Sequence, residues 1–223
     1  MTRYAFITGA LLCGAAALTG VATADDAAPT AAAAAPTAAS ADPLTQSRAE
    51  RLAIGVCGTC HGPRGNSQQP KYPRLAGQNA NYIAAQLRAF RSQSRGDPDA
   101  IGYMWGMAAN LDDGVIDALA SYYAAQAPRH GSVGDASLIA RGGEIFTQGI
   151  ENASVPPCAA CHGPDGHGLA DYPRLASQHS QYLLKQLSSF QNKMRDVAVM
   201  HGVAEGLKTP EMRAVAAYLQ AQP

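Results

Sequence analysis

Two stretches decide the reading: Cys57 to Gln78, "CGTCHGPRGNSQQPKYPRLAGQ", and Cys158 to Gln178, "CAACHGPDGHGLADYPRLASQ". They are nearly the same text, about a hundred residues apart. Each opens with two cysteines three positions apart and a histidine directly after: Cys57, Cys60, His61 and Cys158, Cys161, His162. That is the covalent attachment pattern of a c-type haem. On a helical turn the i and i+3 sulfurs face one side and can each bond a porphyrin vinyl group, while the adjacent imidazole is offered to the iron.

Other uses of four cysteines are weaker. A single zinc site would have to unite pairs that belong to separate repeats. A thioredoxin-like pair needs a strand and helix context that the chain does not display. A disulfide between cysteines three apart closes a tight loop and adds little stability. The fifth cysteine, Cys13, sits in an apolar leader, preceded by Leu12 where a lipoprotein signal requires a small residue.

Beyond each histidine the copies run in parallel. Tyr72 to Gln78 matches Tyr172 to Gln178, and "NYIAAQLRAF" (81–90) matches "QYLLKQLSSF" (181–190). Tyr82, Ile83, Gln86, Leu87 and Phe90, with Tyr182, Leu183, Gln186, Leu187 and Phe190, share one face at helical spacing, which predicts a core-packing helix in each copy. After that the register slips, and "MWGMAANL" (104–111) pairs with "MHGVAEGL" (200–207). A closing helix follows in both, the second opened by Thr209 as N-cap with Pro210 in the first turn. Tyr122 and Tyr218 align within them.

An iron held by histidine on one side takes a second axial ligand, and a methionine thioether raises the potential and suits electron transfer. Met104 and Met200 stand at equivalent places, 43 and 38 residues after their histidines. They are the expected ligands, with Met107 the rival in the first copy and Met194 or His201 in the second. A ligating histidine passes its other ring N–H to an acceptor that fixes its orientation. The carbonyls of Pro73 and Pro173, 12 and 11 residues downstream, are expected there. Arg74 and Arg174 are then placed to approach haem propionates. His130, His167, His179 and His201 have no counterparts in the other copy and are expected at the surface.

The 223-residue chain begins with Arg3, an Ala/Leu/Gly-rich run and Ala22-Thr23-Ala24 before two aspartates. That is the layout of an export signal over residues 1–24, cleaved after Ala24, although the run is also just long enough to remain as a membrane anchor. Residues 25–43, rich in Ala and Pro, read as a disordered spacer. Residues 44–128 and 129–223 then form two domains. Lys+Arg and Asp+Glu balance at 17 each, with no basic stripe to suggest nucleic acid.

With both CxxCH motifs, both "YPRLA" loops and both Met-x-Gly segments in view, the chain resembles the dihaem cytochrome c4 family over roughly residues 44–223. The resemblance implies an all-α fold, a tandem repeat of two class I cytochrome c domains facing across a pseudo-twofold interface. Each domain wraps one covalent haem c with His/Met ligation. In such domains a glycine near the start of the first helix packs against an aromatic of the last, as Gly142, Phe146 and Tyr218 would, whereas "QSRAERLAIGVC" offers no such glycine in the first copy. The family also implies a periplasmic electron carrier near the respiratory membrane. Its partners would be a cytochrome bc complex or a dehydrogenase as donor and a terminal oxidase as acceptor, with peripheral membrane association an option.

Two other functions share this chemistry. One is an electron-accepting subunit docked on a dehydrogenase, such as a sulfide-oxidising flavoprotein. The other is an enzyme, either a dihaem peroxidase or a thiosulfate- or tetrathionate-type oxidoreductase. An enzyme needs an open or differently ligated iron, whereas both copies offer a methionine at the same place and no further domain exists to build a substrate pocket.

Overall fold

The computed structural model describes residues 42–223. The leader over 1–24 and nearly all of the spacer lie outside them. Helix α1 (Pro43–Leu52) opens inside the stretch expected to be spacer, because the Asp42 carboxylate accepts from the Leu44 N–H at 3.0 Å and the Thr45 N–H at 3.2 Å. A capping aspartate followed by proline at the first helical position satisfies the exposed N–H groups and starts with a preset φ.

From α1 the chain passes through a π-helical turn, Ala53–Cys57, into the short α2 (Gly58–His61) that carries the first CxxCH. A loop leads to α3 (Ala80–Arg91), whose cap Asn79 accepts from the Tyr82 N–H at 3.1 Å. A second π turn, Ala100–Met104, runs into α4 (Trp105–Ala108), and α5 (Asp113–Ala124) closes the first half under the cap of Asp112. The second half repeats the plan with α6 (Ala136–Gln148), α7 (Ala159–His162), α8 (Ser180–Gln191), α9 (Ala198–Glu205) and α10 (Thr209–Ala221). The cap of α10 is Lys208, not Thr209: Lys208 keeps extended dihedrals and its N–H donates to the Glu211 carboxylate at 2.7 Å. Among the described residues the only strand-like pairing is an isolated bridge between Ile150 and Val155.

Each half encloses its own core. Val115, Ile116 and Leu119 of α5 pack with Ile83 of α3, while Ile145 and Phe146 of α6 pack with Met212 and Leu219 of α10. First and last helices cross closely in both halves, by different means. In the second half a Cβ on Gly142 would lie 2.0 Å from the Ala214 carbonyl oxygen, so only glycine allows that approach. Counted from the caps Asp42 and Asp135, the equivalent of Gly142 is Ala49, fully buried, and the equivalent of Phe146 is Ala53, 2 % exposed.

The space left by Ala53 is filled from the opposite helix. Tyr123 packs its ring against Gly65 and donates its hydroxyl to the Ala53 carbonyl at 3.4 Å. Leu219 holds the matching place against Gly166, where the Phe146 ring also reaches. Thus the pair Ala53/Tyr123 in one half replaces Phe146/Leu219 in the other. The contact that the sequence left open in the first half is made by Ala49 of α1, Ala53 at the start of the π turn and a tyrosine on α5.

The two halves meet across an interface of reciprocal contacts. Gln78 accepts from the Arg174 N–H and donates to the Arg174 carbonyl, both at 2.8 Å. Gln178 does the same to Arg74, at 2.9 Å in each direction. Exchange of equivalent contacts is the signature of a twofold relation, here within one chain.

Candidate cofactor site

One cavity of about 970 Å³ runs through the interface into both halves. Cys57, Cys60, His61 and Met104 line it from the first half, and Cys158, Cys161, His162 and Met200 from the second. Met107 also lines it but is 57 % exposed, whereas Met104 is partly buried against Phe90, Ala100 and Ala108. In the second half neither Met194 nor His201 lines the cavity. Met194 is exposed, and the His201 imidazole bonds the Phe190 carbonyl through Nδ1 at 3.0 Å. Met212 is packed into the core at 1 % exposure.

The histidines are held for coordination. His61 Nδ1 lies 2.8 Å from the Pro73 carbonyl oxygen, and His162 Nδ1 lies 3.1 Å from that of Pro173. A carbonyl can only accept, so Nδ1 carries the proton and Nε2 keeps its lone pair. Burial pushes both imidazoles below their ordinary pKa against the opposing pull of those carbonyls, so the neutral, ligating form is favoured. Tyr72 and Tyr172 stand edge-on to the two rings, with centroids 6.3 and 6.0 Å away.

The four cysteines of the described residues are unpaired thiols, which removes the disulfide reading. Burial raises Cys57 and lifts Cys158 to about 11, so these are apolar thiols and not preformed thiolate ligands. Among the described residues no cluster of three or more His, Cys, Asp or Glu is found. Two sulfurs on one turn, an imidazole with a free Nε2 and an apolar-lined chamber fit a covalently attached porphyrin.

The arginines of the "YPRLA" loops differ. The Arg74 guanidinium is committed to the interface, bonding the carbonyls of Ser67, at 3.3 Å, and Ser177. Arg174 also lines the cavity and donates one amino group to the Pro223 carbonyl at 2.7 Å, but its Nε is buried without a partner. An anionic oxygen from the cavity is what that Nε lacks, and a propionate has the right chemistry.

Of the histidines expected at the surface, His130 and His167 are exposed, but His201 is partly buried and His179 is only 6 % exposed. His179 caps α8 at the interface, with Nε2 3.0 Å from the Ser67 carbonyl of the other half. Its counterpart is Asn79, which caps α3 and bonds the Ala170 carbonyl across the same interface. The matched stretches, 72–78 with 172–178 and 81–90 with 181–190, stop on either side of this position, which is why the sequence leaves His179 without a counterpart.

Trp105 and His201, each directly after its methionine, use a ring N–H in the same way. Trp105 donates to the Arg95 carbonyl at 2.8 Å and His201 to that of Phe190. His201 ties its methionine segment to the end of α8, and Trp105 ties its own to the loop just past α3. Neither role is visible as a motif, because the residue types differ.

The cytochrome c family model matches residues 46–124 and 139–223. Cytochrome c4 of Stutzerimonas stutzeri is 37% identical over 180 residues, 75% of this chain and 84% of the relative. The thiosulfate dehydrogenase electron acceptor of Stutzerimonas stutzeri (strain A1501) is 43% identical over 181 residues, 78% of this chain and 82% of the relative. Among solved structures, the cytochrome c4 of Acidithiobacillus ferrooxidans superposes with a TM-score of 0.71 at 41% identity, covering 74% of this chain and 98% of that one.

Proposed function

The chain belongs to the cytochrome c family, among its dihaem cytochrome c4 members, and from that premise we propose how its two halves share the transfer of electrons. It carries two covalently bound haem c groups, which supply one-electron ferric/ferrous chemistry. His61 with Met104 and His162 with Met200 would hold the two irons. The observation that supports this set is that all four line one cavity while Met194 and His201 do not. The Pro73 and Pro173 carbonyls fix the imidazoles, and Cys57, Cys60, Cys158 and Cys161 bind the porphyrins. With His61, Met104, His162 and Met200 filling both positions at each iron, one-electron chemistry would need no exchange of ligands, which suits a carrier better than a site of substrate turnover.

The continuous cavity supports internal exchange, with one half receiving an electron while the other donates. The carrier works in the periplasm, between a quinol-oxidising cytochrome bc complex and a terminal oxidase. Among the described residues no helix is long and apolar enough to cross a membrane. Likeness to a thiosulfate dehydrogenase electron acceptor supports a second reading, in which a dehydrogenase is the donor.

The test is spectroscopic and kinetic. The reduced dihaem protein is expected to keep its spectrum when carbon monoxide is added, and ready binding at either haem would overturn the ligand set. Stopped-flow reduction by a purified bc complex and by a thiosulfate dehydrogenase then separates the two donors: the faster, saturable partner identifies the circuit.

A further inference from the structure

The cysteines that open the two repeats sit in unlike surroundings. Cys57 closes the π turn Ala53–Cys57, whereas Cys158 immediately precedes α7 with no such turn before it. Both line the central cavity, together with Tyr123 in the first half and Leu219 in the second. Tyr123 and Leu219 hold matching places on α5 and α10. One copy therefore writes a phenol where the other writes a hydrocarbon.

Tyr123 is 2 % exposed, and packing aims its hydroxyl. A Cβ on Gly65 would lie 2.8 Å from its Cδ1, the Tyr122 ring stands edge-on with centroids 5.1 Å apart, and its own carbonyl accepts from the Gly77 N–H at 3.0 Å. The hydroxyl is thereby directed at the π turn. There the Ala53 carbonyl already accepts from the Gly58 N–H, and its contact with the hydroxyl, at 3.4 Å, is long for an O–H donor. The other group in reach is the Cys57 sulfur. Cys57 packs against the same core cluster as Tyr123, and the two side chains are hydrogen-bond partners. Burial, and then Cys57, hold the phenol well above its ordinary value, so it keeps its proton. Cys158 packs against the cluster that contains Leu219, and no side-chain hydroxyl among the described residues pairs with it.

A free thiol can donate or accept, but a sulfur bonded to a porphyrin has no hydrogen and can only accept. The phenol is then the donor, with the positive end of its O–H dipole turned toward the sulfur. We propose that the Tyr123 hydroxyl, by donating to the Cys57 sulfur, raises the potential of the first haem alone, and that Leu219 leaves the second haem without that influence. The inference rests on the reading that both cysteine pairs carry haem. Hydrogen bonding around a haem is one of the levers a protein holds on its potential, and a donor that draws electron density away favours the ferrous state. Two haems with the same ligand set are thus made unequal by one hydroxyl.

Spectroelectrochemical titration of the dihaem Tyr123→Phe variant tests this. The variant keeps the ring against Gly65 and removes only the hydroxyl. One midpoint potential is expected to fall and the other to stay, and NMR of the partly oxidised protein assigns the moving one to the Met104 or the Met200 side. The sign is diagnostic, because a more apolar setting by itself penalises the charged ferric form and raises the potential. A rise, an equal shift of both haems, a shift on the Met200 side alone, or no shift overturns the proposal. A hydroxyl that serves only the Ala53 carbonyl gives the last of these, with a lowered urea midpoint and both potentials in place. Should Tyr123→Phe lose the first haem, the reciprocal variant decides: Leu219→Tyr with Phe146→Ala recreates the first half's pairing and is expected to raise the second haem's potential, and an unchanged or lowered value refutes the idea. Mass spectrometry counts the attached haems and the ferrous spectrum with carbon monoxide reports ligation. A parent that lacks a haem or binds carbon monoxide overturns the functional reading, whereas two saturated haems with no shift in the variant overturn this inference alone.

Discussion

Gln78 and Gln178 bind each other's domain with the same two hydrogen bonds, each clasping the backbone N–H and C=O of the arginine in the opposite "YPRLA" loop. Each glutamine also accepts from the N–H of the residue after it, Asn79 or His179, which keys the clasp to the start of α3 or α8. The same loops present Pro73 and Pro173 to the ligating histidines. The contact that joins the domains therefore lies one residue from the contact that orients the imidazoles.

Gln78→Ala would leave the Arg174 N–H and C=O without these partners, at a cost of roughly 1–3 kcal/mol for buried polar groups. Gln178→Ala should match it through Arg74. Urea unfolding followed by far-UV circular dichroism measures the loss, and pulse reduction followed by internal electron exchange measures the loosened interface. A change under about 0.5 kcal/mol, typical of a surface substitution, would show that the clasp is incidental.

The first and last helices make a domain-specific prediction. Gly142→Ala drives a methyl to 2.0 Å from the Ala214 carbonyl and 2.7 Å from the Tyr218 Cβ, neither of which can move freely. Overpacking of this kind costs roughly 1–3 kcal/mol or more. In the first domain the same position is Ala49, and Ala49→Gly should cost about 1 kcal/mol through helix propensity. Thermal unfolding watched in the Soret region should show the second domain melting first in Gly142→Ala, an ordering absent from the parent.

What the sequence disclosed was the chemistry that forces residue identity. Only cysteines at i and i+3 with histidine beside them suit the porphyrin, and the repeat placed Met104 and Met200 at matching sites. The interface was harder to read, because a lone arginine in a loop looks like a solvated charge. Yet Arg95 and Arg195, which meet at the interface through Gln86 and Gln186, keep the same offset from Phe90 and Phe190, so a signal was present just before the register slips. Ala49 was missed for another reason: counting from the cysteines fails across the longer link of the second copy, Gly149 to Pro157, whereas counting from the capping aspartates succeeds. The lack of a matching histidine at His179 does not mean exposure, because Asn79 holds the equivalent interfacial position.

The exchange between Ala53/Tyr123 and Phe146/Leu219 can be tested by transplanting one solution into the other domain. Tyr123→Leu leaves a void beside Ala53 and loses the hydroxyl bond, and is expected to cost about 2 kcal/mol or more. Adding Ala53→Phe recreates the second domain's pairing and should recover much of that loss. A double-mutant cycle on urea unfolding should give a coupling of about 1 kcal/mol or more. Additive losses would mean that the two sites do not share one volume.

His179 predicts a pH dependence of domain association. Its imidazole is lowered from the ordinary 6.5 by burial and then by the nearby Arg74 guanidinium, against the bond to Ser67. The folded state thus holds it neutral, while the unfolded chain binds a proton near that ordinary value. As pH falls below about 6.5 the unfolded state carries one more proton, and stability declines until the pH passes the folded value, below which the loss levels off. The slope from one such group approaches about 1.4 kcal/mol per pH unit. His61 and His162 are also lowered, so the measurement is the difference between parent and His179→Asn, which installs the residue found at the equivalent Asn79. Chemical unfolding of both proteins from pH 7 downward should show the parent losing stability faster than the variant. Parallel curves would place the acid sensitivity elsewhere, whereas convergence of the two with falling pH would locate it at the interface that holds the two haems together.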